Sequence, residues 1–226
     1  MITSASNPRL KLVRRLASRS QRERLGLFVA EGEDLVEAAL AAGVEPVELL
    51  VADETVAPGL LAEVSTLPHP ARVIGVFRRA DLPAFEPRPV GLSLWRVGDP
   101  GNVGTLVRCA DAFGASVAVS AGCADPTGPK ALRASAGAVF RVPLGRFDDA
   151  PAPRVGLVAH GGVPLPEVPL GPRVTFVLGA EREGLPGEVA ARCDELATIP
   201  LEPGAESLNV AAAGAIALYE QRRRHG

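Results

Sequence analysis

The sequence predicts an α/β protein, a parallel sheet covered on both faces and preceded by a smaller α/β unit. Three observations predict it. Residues 155–159 and 174–178 are continuous apolar runs without polar alternation, which suits strands buried on both faces. Strand-like and helix-like segments alternate from residue 26 to 77, stop over a proline-rich stretch, and alternate again from residue 90. Three polar, glycine-bearing segments, 99–108, 178–185 and 199–209, then fall at the ends of strand-like runs. Open α/β sheets build their sites at the carboxyl ends of such strands.

Taken in order, residues 8–24 read as one basic helix marked by Leu10, Val13 and Leu16. Residues 26–30 read as a strand ending at Glu31 and Gly32, and 34–42 as a helix stopped by Gly43. A second strand at 47–51, a short helix at 58–64 and a third strand at 73–77 complete the small unit. Residues 78–89, with Pro83, Pro87 and Pro89, read as the linker, dividing the chain into domains 1–85 and 86–226. Beyond it come a strand at 92–97, a helix at 103–113 closed by Gly114, and a strand at 116–119. The two apolar runs follow as strands, then a short strand at 195–200 and a long terminal helix at 207–224. Residues 210–218 are apolar and small-sided around most of the circumference, which predicts a helix buried on all sides. Its cover is either its own sheet or a second copy of the chain.

Composition excludes several classes. With 226 residues, 47% hydrophobic and 22% charged, the chain is globular and has room for one large or two small domains. Aromatics are only 4%, so Ala, Val and Leu must fill most of the core. No apolar stretch approaches the roughly 20 residues of a membrane helix, and the first residues lack a signal-peptide pattern, so a soluble, cytoplasmic protein is expected. Cys109, Cys123 and Cys193 are odd in number and widely spaced, which predicts reduced thiols. They form no ligand pattern with His69, His160 or His225, so no metal is expected. The net charge of −2 conceals a stretch from Arg9 to Arg24 with seven cations against Glu23 alone. No structural reason for so many guanidinium groups is evident from the sequence, and a contact with a polyanion is expected there.

The three loops supply the candidate chemistry. The first carries Asn102 and Gly104, with Arg108 on the helix after it. The second carries Leu178, Gly179, Glu181 and Gly184; the third carries Ile199, Leu201, Gly204, Ser207, Leu208 and Asn209. Each also has a plainer reading: the glycines as turn residues, Asn102 and Ser207 as helix N-caps, Arg108 as a surface arginine. No G-x-G-x-x-G or G-x-x-x-x-G-K-[ST] occurs, which argues against dinucleotide and P-loop sites.

These segments, in this order, resemble the three signature motifs of the SpoU (TrmH-like) family of RNA 2′-O-methyltransferases. Asn102, Gly104 and Arg108 match N-x-G-x-x-x-R; Gly179, Glu181 and Gly184 match G-x-E-x-x-G; residues 199–201 and 207–210 match I-P-[LM]…S-L-N-V. The likeness runs from about residue 88 to the end. Residues 4–32 resemble, more loosely, an L30e-like RNA-binding domain. The resemblance implies a SPOUT fold, a parallel sheet with a C-terminal trefoil knot, working as a homodimer through the terminal helices. It implies S-adenosylmethionine as cofactor, in a pocket lined by Leu178, Gly179, Ile199, Leu201 and Leu208. Arg108 becomes the central catalytic residue, with Asn102, Glu181, Ser207 and Asn209 orienting substrate and cofactor. A guanidinium is effectively always protonated, so a fixed cation suits Arg108 better than a general base. The RNA implied is ribosomal in preference to transfer RNA, gripped by the N-terminal domain, without which the catalytic half is expected to stay folded. A catalytically silent RNA-binding protein and a base methyltransferase of the same fold are the alternatives; the S-L-N motif favours ribose.

Overall fold

The computed structural model describes residues 1–225. The basic stretch is broken into two helices, α1 (Pro8–Leu16) and α2 (Arg19–Leu25), where one was expected. Ser18 is extended, and α1 ends with carbonyls that need partners. The Arg22 guanidinium supplies them, donating to Leu16 O at 2.9 Å and Ala17 O at 2.8 Å. Strand β1 (Leu27–Glu31), helix α3 (Glu33–Ala41), β2 (Glu48–Val51) and β3 (Val73–Arg78) follow. The three strands form a sheet in the order β1-β3-β2, both pairs antiparallel. The helix expected at 58–64 is instead a run of turns. Its far end is pinned by the buried Glu31 carboxylate, which accepts from Ser65 Oγ at 2.7 Å, Thr66 N at 2.9 Å and Thr66 Oγ1 at 2.7 Å.

The second sheet has seven strands: β4 (Val90–Leu94), β5 (Ser116–Val119), β6 (Leu144–Arg146), β7 (Arg154–Leu157), β8 (Val163–Pro164), β9 (Val174–Leu178) and β10 (Glu195–Thr198). All pairs are parallel, in the order β6-β5-β4-β9-β7-β10-β8. Helices α4 (Pro100–Ala112), α5 (Pro129–Ser135), α6 (Gly187–Ala190) and α7 (Val210–His225) complete the chain. Every residue of β9 is buried, as its uninterrupted apolar run requires. Leu94 pairs with Leu178, so the loops after β4 and β9 leave the sheet side by side. Gly104 lies where α4 crosses α5: a Cβ there would collide with the Ala131 carbonyl. The glycine of the first motif is thus a packing residue.

Helix α7 departs from its expectation. Ala211, Gly214, Ala217, Leu218 and Gln221 are buried, and Gly214 sits tight against Leu106. Ala212, Ile216 and Tyr219 face solvent, so one face packs on the chain's own α4 and β9 and the other is uncovered.

The two sheets do not meet across an open hinge. Phe28, Leu35, Val36, Ala39 and Phe77 share one core with Leu132, Val139 and Phe140, the three phenylalanine rings lying 5.6–6.0 Å apart. Beside it Asp125 pairs with Arg22 at 2.8 Å and Arg79 at 2.6 Å, and the Arg22 and Asp125 side chains are each only 5% exposed. Burial pushes the Asp125 carboxyl up, but Arg79, Thr127 and Arg22 outweigh it and hold the group below the usual carboxylate range. Most other arginines of the basic stretch are also engaged. Arg9 pairs with Glu48; Arg14 reaches Ala5 O at 2.7 Å and Glu63 at 3.1 Å; Arg15 and Arg24 share Gln21; Arg19 holds Glu23 and Cys123 O, each at 2.8 Å. The expectation that these cations lack a structural role is therefore corrected.

Candidate active site

The sequence places its candidates in three loops, and the fold brings two of them and part of the third together. A cleft of about 240 Å³ opens at the carboxyl edge of the parallel sheet. All five residues expected to hold a cofactor, Leu178, Gly179, Ile199, Leu201 and Leu208, line it, together with Glu181, Ser207 and Asn209. A Cβ on Gly179 would collide with the Gly184 and Leu185 backbone, so this wall is bare main chain against which the same loop folds back. Gly184 closes the loop in left-handed conformation, its amide donating to Ala180 O at 2.9 Å. A further wall comes from Leu157 at the end of β7 and from Val158 and Ala159 after it, which the sequence alone marks only as strand. The signal was present: an apolar run that ends in a glycine pair, Gly161 and Gly162, at a strand's carboxyl end.

Glu181 ties the loops together. Its carboxylate accepts from the amides of Gly98 at 3.1 Å and Asp99 at 3.0 Å, and from Asn102 Nδ2 at 3.0 Å. Asn102 Oδ1 in turn accepts from Asn209 Nδ2 at 3.0 Å. Desolvation raises the Glu181 carboxyl, but the hydrogen bonds from Asn102, Asp99 and Gly98 overcome it and hold it below its ordinary value. Such a carboxylate is ionised at neutral pH and fully engaged, so it suits a positioning group rather than a proton acceptor. The N-caps prove to be other residues than Asn102 and Ser207. Asp99 caps α4, accepting from Asn102 N at 3.0 Å while pairing with Lys130 at 2.8 Å. Asn209 Oδ1 caps α7, accepting from Ala211 N at 2.8 Å and Ala212 N at 3.2 Å. Ser207 lines the cleft, and its hydroxyl makes no hydrogen bond among the described residues.

Arg108 stands apart. It is exposed on α4, six residues beyond Asn102, and is not among the cleft's lining residues. Six helical residues carry it about 9 Å along the axis. Its guanidinium makes no side-chain hydrogen bond or ion pair among the described residues. No group of three or more His, Cys, Asp or Glu able to hold a metal occurs among them either, and no helix is long and apolar enough to cross a membrane.

A parallel sheet whose carboxyl-edge loops close on one small, mostly apolar cleft defines an α/β enzyme of the small-ligand-binding, open-sheet class. The comparisons with known proteins give the family. The SpoU rRNA Methylase family matches residues 89–219, and the MRM3-like substrate binding domain matches residues 7–80. The chain is 33% identical to the 23S rRNA (guanosine(2553)-2'-O)-methyltransferase RlmP of Bacillus subtilis over 98% of each protein. It superposes on an AdoMet-bound rRNA methyltransferase from Sinorhizobium meliloti with a TM-score of 0.88, at 30% identity and covering 99% of this chain and 97% of that one. The SpoU methyltransferase AviRb from Streptomyces viridochromogenes, in complex with AdoMet, gives 0.83 at 26% identity, over 96% and 98%. The chain belongs to the SpoU rRNA methylase family and is an S-adenosylmethionine-dependent RNA 2′-O-methyltransferase of SPOUT fold.

Proposed function

We propose that this chain methylates a ribose 2′-hydroxyl of ribosomal RNA, at the mouth of the cleft built by residues 157–159, 178–184 and 199–210. One observation carries the reading: side chains from separate segments, Glu181, Asn102 at the start of α4 and Asn209, form a continuous hydrogen-bonded chain beside the cleft. The residues fit the cofactor. Leu157, Val158, Ile199 and Leu208 give apolar walls, and Gly179 leaves main chain open to a purine edge. The cleft is somewhat below the ~300 Å³ where small-molecule pockets begin, and it opens along the exposed segment 201–209. When bound, S-adenosylmethionine supplies an electrophilic sulfonium methyl. Leu178, Gly179, Ile199, Leu201 and Leu208 hold it, while Glu181, Asn102 and Asn209 fix the loops and Ser207 offers its hydroxyl. Arg108, always protonated, grips an RNA phosphate or steadies the developing alkoxide.

In this reading residues 1–85 are the RNA-recognition domain and 86–226 the catalytic domain. A C-terminal trefoil knot belongs to the same reading, supported by the strand order, in which β9 is inserted between β4 and β7, both of which precede it in the chain. The uncovered Ala212, Ile216 and Tyr219 support a homodimer through α7. The working compartment in this reading is the cytoplasm. The test is mass-spectrometric mapping of ribose methylation in ribosomal and transfer RNA from cells lacking the protein. Loss of a 2′-O-methyl group from ribosomal RNA, restored by the wild-type chain, is the expected result. Loss confined to transfer RNA, or no loss, overturns it.

A further inference from the structure

Arg96 occupies a position that the fold alone would give to glycine. It lies two residues beyond β4 with φ +52°, a left-handed conformation that crowds any Cβ. Its surroundings hold it there. The Arg96 amide donates to Ser120 Oγ at 2.8 Å. The loop carrying Ser120 is splinted to the same segment, Ser120 N donating to Leu94 O and Ala124 N to Val97 O, each at 2.9 Å. Gly122 lies against the side-chain stem: a Cβ there would come within 2.7 Å of Arg96 Cγ.

Arg96 does not itself line the cleft, but its neighbours in the chain are bonded to residues that do. The preceding amide, Trp95 N, donates to Leu178 O at 2.8 Å, and the Gly98 and Asp99 amides just after it bind Glu181. Yet its exposed guanidinium makes no hydrogen bond or ion pair among the described residues. The nearby carboxylates are engaged elsewhere, Asp99 with Lys130 and the Asn102 amide, Glu181 with its three donors. Strain over-determined by its surroundings and ending in an unpartnered group is the pattern of a binding residue. A planar guanidinium fork fits a phosphate.

We propose that Arg96 grips an RNA phosphate next to the nucleotide being methylated, which rests on the RNA methyltransferase reading above. The test compares wild type with Arg96→Gly and Arg96→Lys, using ribosomal RNA extracted from cells lacking the protein. Arg96→Gly should melt no lower than wild type, because glycine accepts the left-handed backbone without strain. Its S-adenosylmethionine affinity should stay within about twofold. KM for RNA should rise about tenfold, the low end for one charge-assisted hydrogen bond, while kcat falls far less. Filter binding across a salt series should give a slope flatter by about 0.7–0.9, one phosphate contact. Arg96→Lys should restore the slope and part of the KM. An Arg96→Gly variant with unchanged KM and slope overturns the proposal, whatever its melting temperature. So does one that loses cofactor affinity in step with KM. Wild-type protein that transfers no methyl group to this RNA overturns the methyltransferase reading instead, and the salt slope on the same RNA still decides Arg96.

Discussion

Two groups of arginines divide this molecule. Arg9, Arg14, Arg19, Arg22 and Arg79, around the N-terminal sheet, each hold a carboxylate, and several also hold a backbone carbonyl. Arg96 and Arg182, on loops after β4 and β9, and Arg108, further along α4, are exposed and hold no side-chain partner among the described residues. Charge density in the sequence points to the first group as the grip on RNA; partner geometry points to the second. A cation already paired must break that pair before it meets a phosphate, whereas an unpaired one is free to bind. Removing the first kind should cost stability, and removing the second should cost turnover or RNA affinity.

The sharpest test of that contrast is Arg108→Ala. Turnover at saturating RNA should fall by about 10²–10³, the effect of losing one preorganised stabiliser of developing charge. Cofactor affinity and melting temperature should hardly move. A variant that keeps most of its turnover removes Arg108 from the catalytic machinery. Next in size is the opposite kind of change. Asp125→Ala leaves the buried Arg22 uncompensated and should lower unfolding free energy in urea by about 3–5 kcal/mol, with the RNA salt slope of the folded protein unchanged. A flatter slope would break the division between the two groups. Removing residues 1–80 should do still more than the expectation of an independent catalytic half allows. It strips the cover from Leu132, Val139 and Phe140, so the fragment should expose apolar surface to a hydrophobic dye and lose its sharp melting transition. A fragment with a sharp transition would show that the shared core is dispensable.

A gentler probe is acid. The Asp125 carboxyl is held below its unfolded value near 3.9, so its contribution is fully present above about pH 5 and fades as pH falls through the lower folded value. Urea midpoints for wild type and Asp125→Asn should therefore run parallel above pH 5 and converge below pH 4. Curves that stay parallel throughout would place the ionic contribution elsewhere. The smallest effect is expected from Arg14→Glu with Arg15→Glu. Arg14 already serves Ala5 and Glu63, so the salt slope should change by less than one contact, about 0.7–0.9.

What the sequence revealed follows the same physical line. Strand β9 was legible to the residue because burial on both faces leaves a continuous apolar run, and the terminal helix was legible except for its start. That helix begins at Val210, since Asn209 must turn its side chain to the Ala211 and Ala212 amides while reaching Asn102. Antiparallel pairing in the small sheet was not legible, because local alternation does not record which strand edges meet. Nor was the break at residues 17–18, which depends on Arg22 folding back onto α1. Short elements such as α5 and β6 carry too few residues for a period to emerge. At the site, identities were legible and availability was not. The sequence names Glu181, but only the fold shows its oxygens already taken.

The phenylalanine trio that joins the two sheets has a consequence for the RNA. Phe28 and Phe77 come from one side and Phe140 from the other, and the Asp125 pairs lie beside them. A joint of this kind behaves like the fixed jaw of a caliper rather than a leash. The span from any surface on the N-terminal sheet to the cleft is set by packing and does not adjust to the transcript. Adaptation then falls to the nucleic acid, whose loops must fold or bend until two of its features stand at the interval the protein offers. Target choice becomes a measurement of length as much as a reading of bases.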